Sequence, residues 1–183
     1  MKINPLFLAA LLLICARAQA ADGFEGVRCD ADISKALIGK HMTNEAVAAL
    51  EARHRALSLK DLGASEITDQ INAISWSICG KEYMLLQDAR DIVRDALAFP
   101  AHSKTAPAFT GSCERKGRAT DETVVAILDN RAGYKKNYDP SDNSLFAATL
   151  AWKIDTKAVK FIKIDATGMR CPRSGIATAD GGP

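Results

Sequence analysis

Residues 65–79 read Ser-Glu-Ile-Thr-Asp-Gln-Ile-Asn-Ala-Ile-Ser-Trp-Ser-Ile-Cys, and the fold of the N-terminal half turns on them. Ile67, Ile71, Ile74 and Ile78 fit one face of a helix opened by Ser65. The same stretch also alternates: Ile74, Trp76 and Ile78 interleave with Ser75, Ser77 and Cys79, the two-residue period of a half-buried strand. Isoleucine, serine and threonine are not strong helix formers. We therefore divide the stretch into a short helix near 65–71 and a strand through Cys79. Gly80-Lys81 then turns the chain into a second strand over 82–86.

Upstream, Thr43 and Asn44 are capping residues, Val47, Leu50 and Leu57 recur at helical spacing, and Glu51 faces Arg55 one turn on. A shorter helix over 32–42, with Ile33 and Leu37 on one side, completes an expected helical hairpin. Downstream, Asp88 is expected to cap a helix carrying Ile92, Val93, Ala96 and Leu97, which Pro100 ends. Residues 100–107 read as a surface connector. Beyond them 109–113, 123–128, 146–154 and 159–164 read as four strands, the last two joined by a tight turn at Asp155-Thr156-Lys157. Short connections imply antiparallel neighbours.

The fold class expected is therefore α+β, an N-terminal helical hairpin and further helices packed on an antiparallel sheet of four or more strands. It is a single domain over 21–183, helix-rich to about residue 100 and mainly β from about 107 to 171. Trp152, in line with Leu150 and Ile154, is expected to be buried against the helix bearing Ile92 and Leu97.

The first twenty residues carry an address. Lys2 gives a positive start, residues 5–14 are almost wholly apolar, and Ala18-Gln19-Ala20 is a small-x-small cleavage signature, so 1–20 reads as a cleaved signal peptide. Its apolar core, roughly ten residues, is too short to span a bilayer as a helix. The expected location is periplasmic or secreted, with no membrane span after cleavage. The leader takes Lys2 and Arg17 out of the 24 basic residues and none of the 22 acidic ones, leaving a mature chain of zero formal charge. A nucleic-acid partner, which would demand a basic excess, is not expected.

Four of the five cysteines lie beyond the leader: Cys29, Cys79, Cys113 and Cys171. An even number in an exported chain reads as a disulfide set with three possible connectivities. We prefer Cys29–Cys79 with Cys113–Cys171, because each bridge then staples one half of the chain. No two cysteines are spaced as zinc ligands, and His41, His54 and His102 belong to no ligand motif, so neither metal nor cofactor is expected. His54, between Arg53 and Arg55, reads as a surface residue.

No catalytic motif stands out. His102-Ser103, in a loop between prolines, is the most reactive-looking pair, although adjacent residues rarely face each other as nucleophile and base. The segment 130–144 is about fifteen residues long where a hairpin needs two to five, and it carries Arg131, Tyr134, Lys135, Lys136 and Tyr138. Tyrosine beside arginine and lysine is contact-surface composition, and these five are the candidate binding residues. Asp139, Asp142 and Asn143 lack the glycine and terminal glutamate of a calcium loop. Lys153, Lys157, Lys160 and Lys163 crowd the last hairpin, where charge commonly guards a sheet edge.

The reading that fits best is a small exported, disulfide-stabilised protein that binds, inhibits or confers immunity against another envelope or secreted protein without catalysis. The alternatives are a small envelope hydrolase using His102 and a small-ligand-binding periplasmic protein.

Overall fold

The computed structural model describes residues 22–42, 45–131 and 144–172. Within them the chain is mainly β, in two antiparallel sheets with two short helices, so the expected α+β fold with its helical hairpin is overturned. The decisive stretch is strand almost throughout. Strands β1 (Lys60–Thr68), β2 (Ile71–Ile78), β3 (Lys81–Asp88) and β4 (Val93–Ala98) form a meander in which each pairs with the next. The helix expected over 65–71 is the end of β1 and its turn into β2; the helix expected after Asp88 is β4.

Both corrections have the same cause. β2 is buried on its two faces: Ile71 and Ala73 point to one core, Ile74, Trp76 and Ile78 to another. Isoleucines placed on alternate faces mimic a helical repeat. In β4 a bulge between Val93 and Asp95 inserts Arg94, so Val93 and Ala96 reach the same core three positions apart. Asp88 does accept from the amides of Arg90 (2.9 Å) and Ile92 (3.2 Å), as an N-cap would. The chain then passes through Asp91 at φ 58° and returns as a strand.

The expected hairpin of helices is instead a cover laid over the outer face of the meander. It contains α1 (Ile33–Leu37), capped by Asp32 on the Lys35 amide, and α2 (Val47–Arg53). Between them the chain runs beside β4: Gly39 donates to Val93 O at 2.8 Å and Met42 to Asp91 O at 2.9 Å. Phe24, Val27, Ile33, Leu37, Leu50 and Leu57 bury against Trp76, Ile78, Tyr83, Leu85 and Val93. The Cys29–Cys79 disulfide and a bond from Cys79 N to Leu57 O pin the cover to the β2–β3 turn. That turn has positive φ at both Cys79 (54°) and Gly80 (73°), the geometry that closes a two-residue hairpin.

The second sheet holds β5 (Ala108–Gly111), β6 (Glu114–Arg115), β7 (Arg118–Ala119), β8 (Val124–Leu128), β9 (Leu145–Asp155), β10 (Lys160–Ile164) and β11 (Met169–Pro172). The four strands expected from alternation correspond to β5, β8, β9 and β10. β10 and β11 pair with opposite ends of β9, two parts of one return strand interrupted at 165–168. β8 is buried on both faces. Val125 and Ile127 meet Ile71, Ala73, Met84 and Leu86 of the meander's inner face, while Val124, Ala126 and Leu128 meet Phe109, Met169 and the Cys113–Cys171 disulfide. Trp152 is half-buried, contrary to expectation, and the segment with Leu97 that was to bury it is a strand. The Asp95 carboxylate accepts the Phe161 amide at 2.8 Å, tying β4 to β10.

Among the described residues no helix is long and apolar enough to cross a membrane.

Candidate functional site

Where the cover meets the meander it leaves a groove of about 310 Å3. The meander's register builds the floor. Ile74 lies opposite Leu85, Trp76 opposite Tyr83 and Asn72 opposite Gln87, so the outer face turns from apolar to polar along its length. The groove runs between the cover and Ile74, Trp76 and Gln87 of this face. Phe24, Met42, Val47 and Leu50 form the cover's wall. Gly23 packs closely there: a Cβ at this position would come within 2.1 Å of the Met42 sulfur, so Met42 would have to shift.

Three acidic residues line the groove, from three segments. Asp61 sits at a β-bulge on the edge strand β1, where its Oδ1 accepts the Gly63 amide at 2.9 Å and Gly63 has φ 105°. Asp91 occupies the left-handed position of the β3–β4 turn. Its carbonyl accepts from Met42 N and, at 3.3 Å, from Gln87 Nε2. Asp88 stiffens that turn. Burial works against its charge, but the Arg90 and Ile92 amides and the Arg94 guanidinium outweigh it and hold the carboxyl at about 2.

The third carboxylate, Glu45, is held by Arg53 in a bidentate pair. Arg53 also reaches Asp22 at 2.6 Å, and His54 Nε2 lies 2.7 and 2.9 Å from the two Asp22 oxygens. Asp22 is 6 % exposed. Burial opposes its ionisation, yet hydrogen bonds from His54, Arg53 and the Phe24 amide keep its carboxyl below the usual range. His54, expected at the surface, is thus the shielded partner of a buried acid, with its ring tilted against Phe24.

Gln87 is 5 % exposed and Trp76 7 %. Both residues line the groove, whereas the buried side-chain atom left without a hydrogen-bond partner among the described residues, Asn130 Oδ1, lies outside it. The groove offers acceptors, negative charge and an aromatic wall. None of its lining residues is lysine, arginine or histidine.

The candidates read from sequence lie elsewhere. Arg131 is exposed and pairs with Asp129 at 2.9 and 2.5 Å, and that pairing holds the Asp129 carboxyl at about 2. Tyr134, Lys135, Lys136 and Tyr138 lie outside the described residues, as do Asp139, Asp142 and Asn143. His102 Nε2 is 2.7 Å from Glu82 Oε2, and its ring packs edge-on to Phe99. Ser103 does not complete a catalytic set there. Its hydroxyl bonds Thr105 Oγ1 at 3.1 Å and accepts the Ala106 amide, closing its own tight turn. Lys153 pairs with Glu122, while Lys160 and Lys163 lie exposed on β10. No group of three metal-ligating side chains occurs among the described residues.

Sequence reasoning passed over the groove because its polar residues come from four distant segments. The one local signal is Gln87, a buried amide closing the run Tyr83-Met84-Leu85-Leu86. No protein-family model, curated protein or solved structure matches the chain.

Proposed function

We propose that this chain is a small exported binding protein, without catalysis of its own, that takes its ligand in the groove between the N-terminal cover and the outer face of the meander. The observation that carries this reading is the open cavity of about 310 Å3, lined by Phe24, Met42, Ile74 and Trp76 together with Asp61, Gln87 and Asp91. That volume is at the lower end for small-ligand pockets, which are apolar with a few placed polar groups. The disulfides and the leader-like first twenty residues support an oxidising compartment. The 130–144 loop, with Arg131, Tyr134, Lys135, Lys136 and Tyr138, is a second contact surface proposed on composition, through which a partner protein would be engaged.

The test compares three proteins in native mass spectrometry after equilibration with the exported fraction of the producing cells: wild type, Ala64→Phe and Tyr134→Ala/Tyr138→Ala. Ala64 is an exposed strand residue on the groove's rim, so phenylalanine there obstructs the groove without entering the core. The expected result is a species held by wild type and lost from Ala64→Phe. Equal retention by both sinks the groove as the site. Loss from the tyrosine variant alone moves recognition to the loop.

The His102–Glu82 pair favours a second reading, a hydrolase with His102 as base and Glu82 orienting it. Turnover of an ester or amide substrate that vanishes in both His102→Ala and Glu82→Gln would establish it and displace the non-catalytic reading.

A further inference from the structure

We infer that the Cys29–Cys79 disulfide is a redox-sensitive latch: a dithiol reductant opens it and frees the N-terminal cover from a meander that stays folded. The device does not depend on what the groove binds.

The two bridges sit in opposite surroundings. Cys113 and Cys171 are 2 % and 0 % exposed, inside the apolar layer of Phe109, Val124, Ala126 and Met169. Cys29 is an exposed residue, and Cys79 is half-buried in the β2–β3 turn. Thiol–disulfide exchange requires the attacking sulfur to reach the bridge, so access decides which bridge reacts in the folded protein. Cys29–Cys79 meets that requirement as it stands. Cys113–Cys171 would need the surrounding layer to open first.

The exposed bridge also stands where both arms of the cover are fastened. Cys29 comes from the arm ahead of α1, and its Sγ lies 3.6 Å from Ala56 O, in the arm that follows α2. The Cys79 amide donates to Leu57 O of that second arm at 2.6 Å. One turn of the meander thus holds both arms. The sheet beneath needs no such help, because β1 to β4 pair strand to strand and their inner face packs on the second sheet. Cutting the bridge therefore loosens the cover and spares the sheet. Phe24, Met42, Val47 and Leu50 belong to the cover and wall the groove, so the groove widens with it.

The exchange runs in two steps. A thiolate of the dithiol attacks Cys29 Sγ, a new S–S bond forms, and Cys79 leaves as a thiolate. The second thiolate of the dithiol then attacks its own half of the mixed disulfide and expels Cys29. Two electrons pass to the protein, the dithiol becomes a disulfide, and its two protons end on Cys29 and Cys79.

The test treats the folded, oxidised protein with dithiothreitol, traps thiols with N-ethylmaleimide over time, and maps them by peptide mass spectrometry. Hydrogen exchange is read on the same samples. Cys29 and Cys79 should be trapped at least about tenfold faster than Cys113 and Cys171. Exchange at Gly39 and Met42 should rise as they appear, while Leu85 and Leu86 in β3 keep their protection, and oxidised glutathione should reverse both changes. Trapping of all four cysteines at one rate would mean that the bridges open together by unfolding, and would overturn the latch. So would trapping of Cys29 and Cys79 with exchange at Gly39 and Met42 unchanged, or with protection lost at Leu85 and Leu86 as well. No ligand enters these readings, so failure here leaves the groove as a binding site standing, to be decided by Ala64→Phe.

Discussion

The two faces of the four-stranded meander are built from the same strands and differ in almost every other respect. On the inner face Ile71, Ala73, Met84 and Leu86 meet Val125, Ile127 and Ile154 of the second sheet, an apolar contact between two layers. The outer face begins equally apolar at Ile78, Tyr83 and Leu85 but ends at Gln87, under a cover held by a disulfide, three strap hydrogen bonds to β4 and its turn, and a buried ion cluster. Strand pairing supplies stiffness to both. The inner face packs sheet on sheet, whereas the outer face carries a groove between the sheet and its cover.

The contrast breaks most visibly at Leu86, fully buried in the inner layer. Leu86→Ala should cost about 4 kcal/mol, seen as a lower denaturant midpoint, while the groove residues of the surviving folded molecules keep their resonances. Removing the cover's staple is the complementary experiment. Cys29→Ala/Cys79→Ala should cost about 3 kcal/mol and, unlike Leu86→Ala, should raise hydrogen exchange at Gly39 and Met42 and abolish ligand retention.

Asp22→Ala strips Arg53 and His54 of their shared carboxylate and should cost about 2 kcal/mol. It should also release Glu45 from its fixed position at the rim. The acid dependence follows from the carboxylates. Asp88 is held at about 2 against an ordinary 3.8, and Asp22 is also lowered. Ionisation of each therefore favours the folded state above about pH 4, and that stability drains away as pH falls from there toward about 2. Asp88→Asn should flatten this segment of the pH–stability curve; an unchanged slope would remove Asp88 as its source. The smallest effect is expected at the groove itself, where Asp61→Asn/Asp91→Asn should leave stability within about 0.5 kcal/mol. A large loss there would make the aspartates scaffold.

How far the sequence foretold this differs between the two halves. Leu150, Trp152 and Ile154 alternate along β9, and the late strands were legible. So was the pairing of Cys29 with Cys79 and Cys113 with Cys171, since each bridge closes one half. The meander was not, because periodicity assumes one buried face. Ile67, Ile71, Ile74 and Ile78 serve two cores, and the Arg94 bulge resets the phase of β4. His54 was misjudged from its arginine neighbours, one of which, Arg53, proves to share its buried acid. Beyond Gln87 at the end of the run Tyr83-Met84-Leu85-Leu86, the groove was not legible, because Asp61 and Asp91 come to line one cavity only once the meander has folded and the cover has closed over it.

The claim that the outer face is the functional one is tested most directly by equilibrating wild type, Ala64→Phe and Leu86→Ala with the exported fraction of the producing cells and following the bound species by native mass spectrometry. A bound species should appear with wild type, persist in the folded fraction of Leu86→Ala, and vanish from Ala64→Phe. Equal retention by Ala64→Phe, or loss from Leu86→Ala alone, would contradict the division of labour between the two faces.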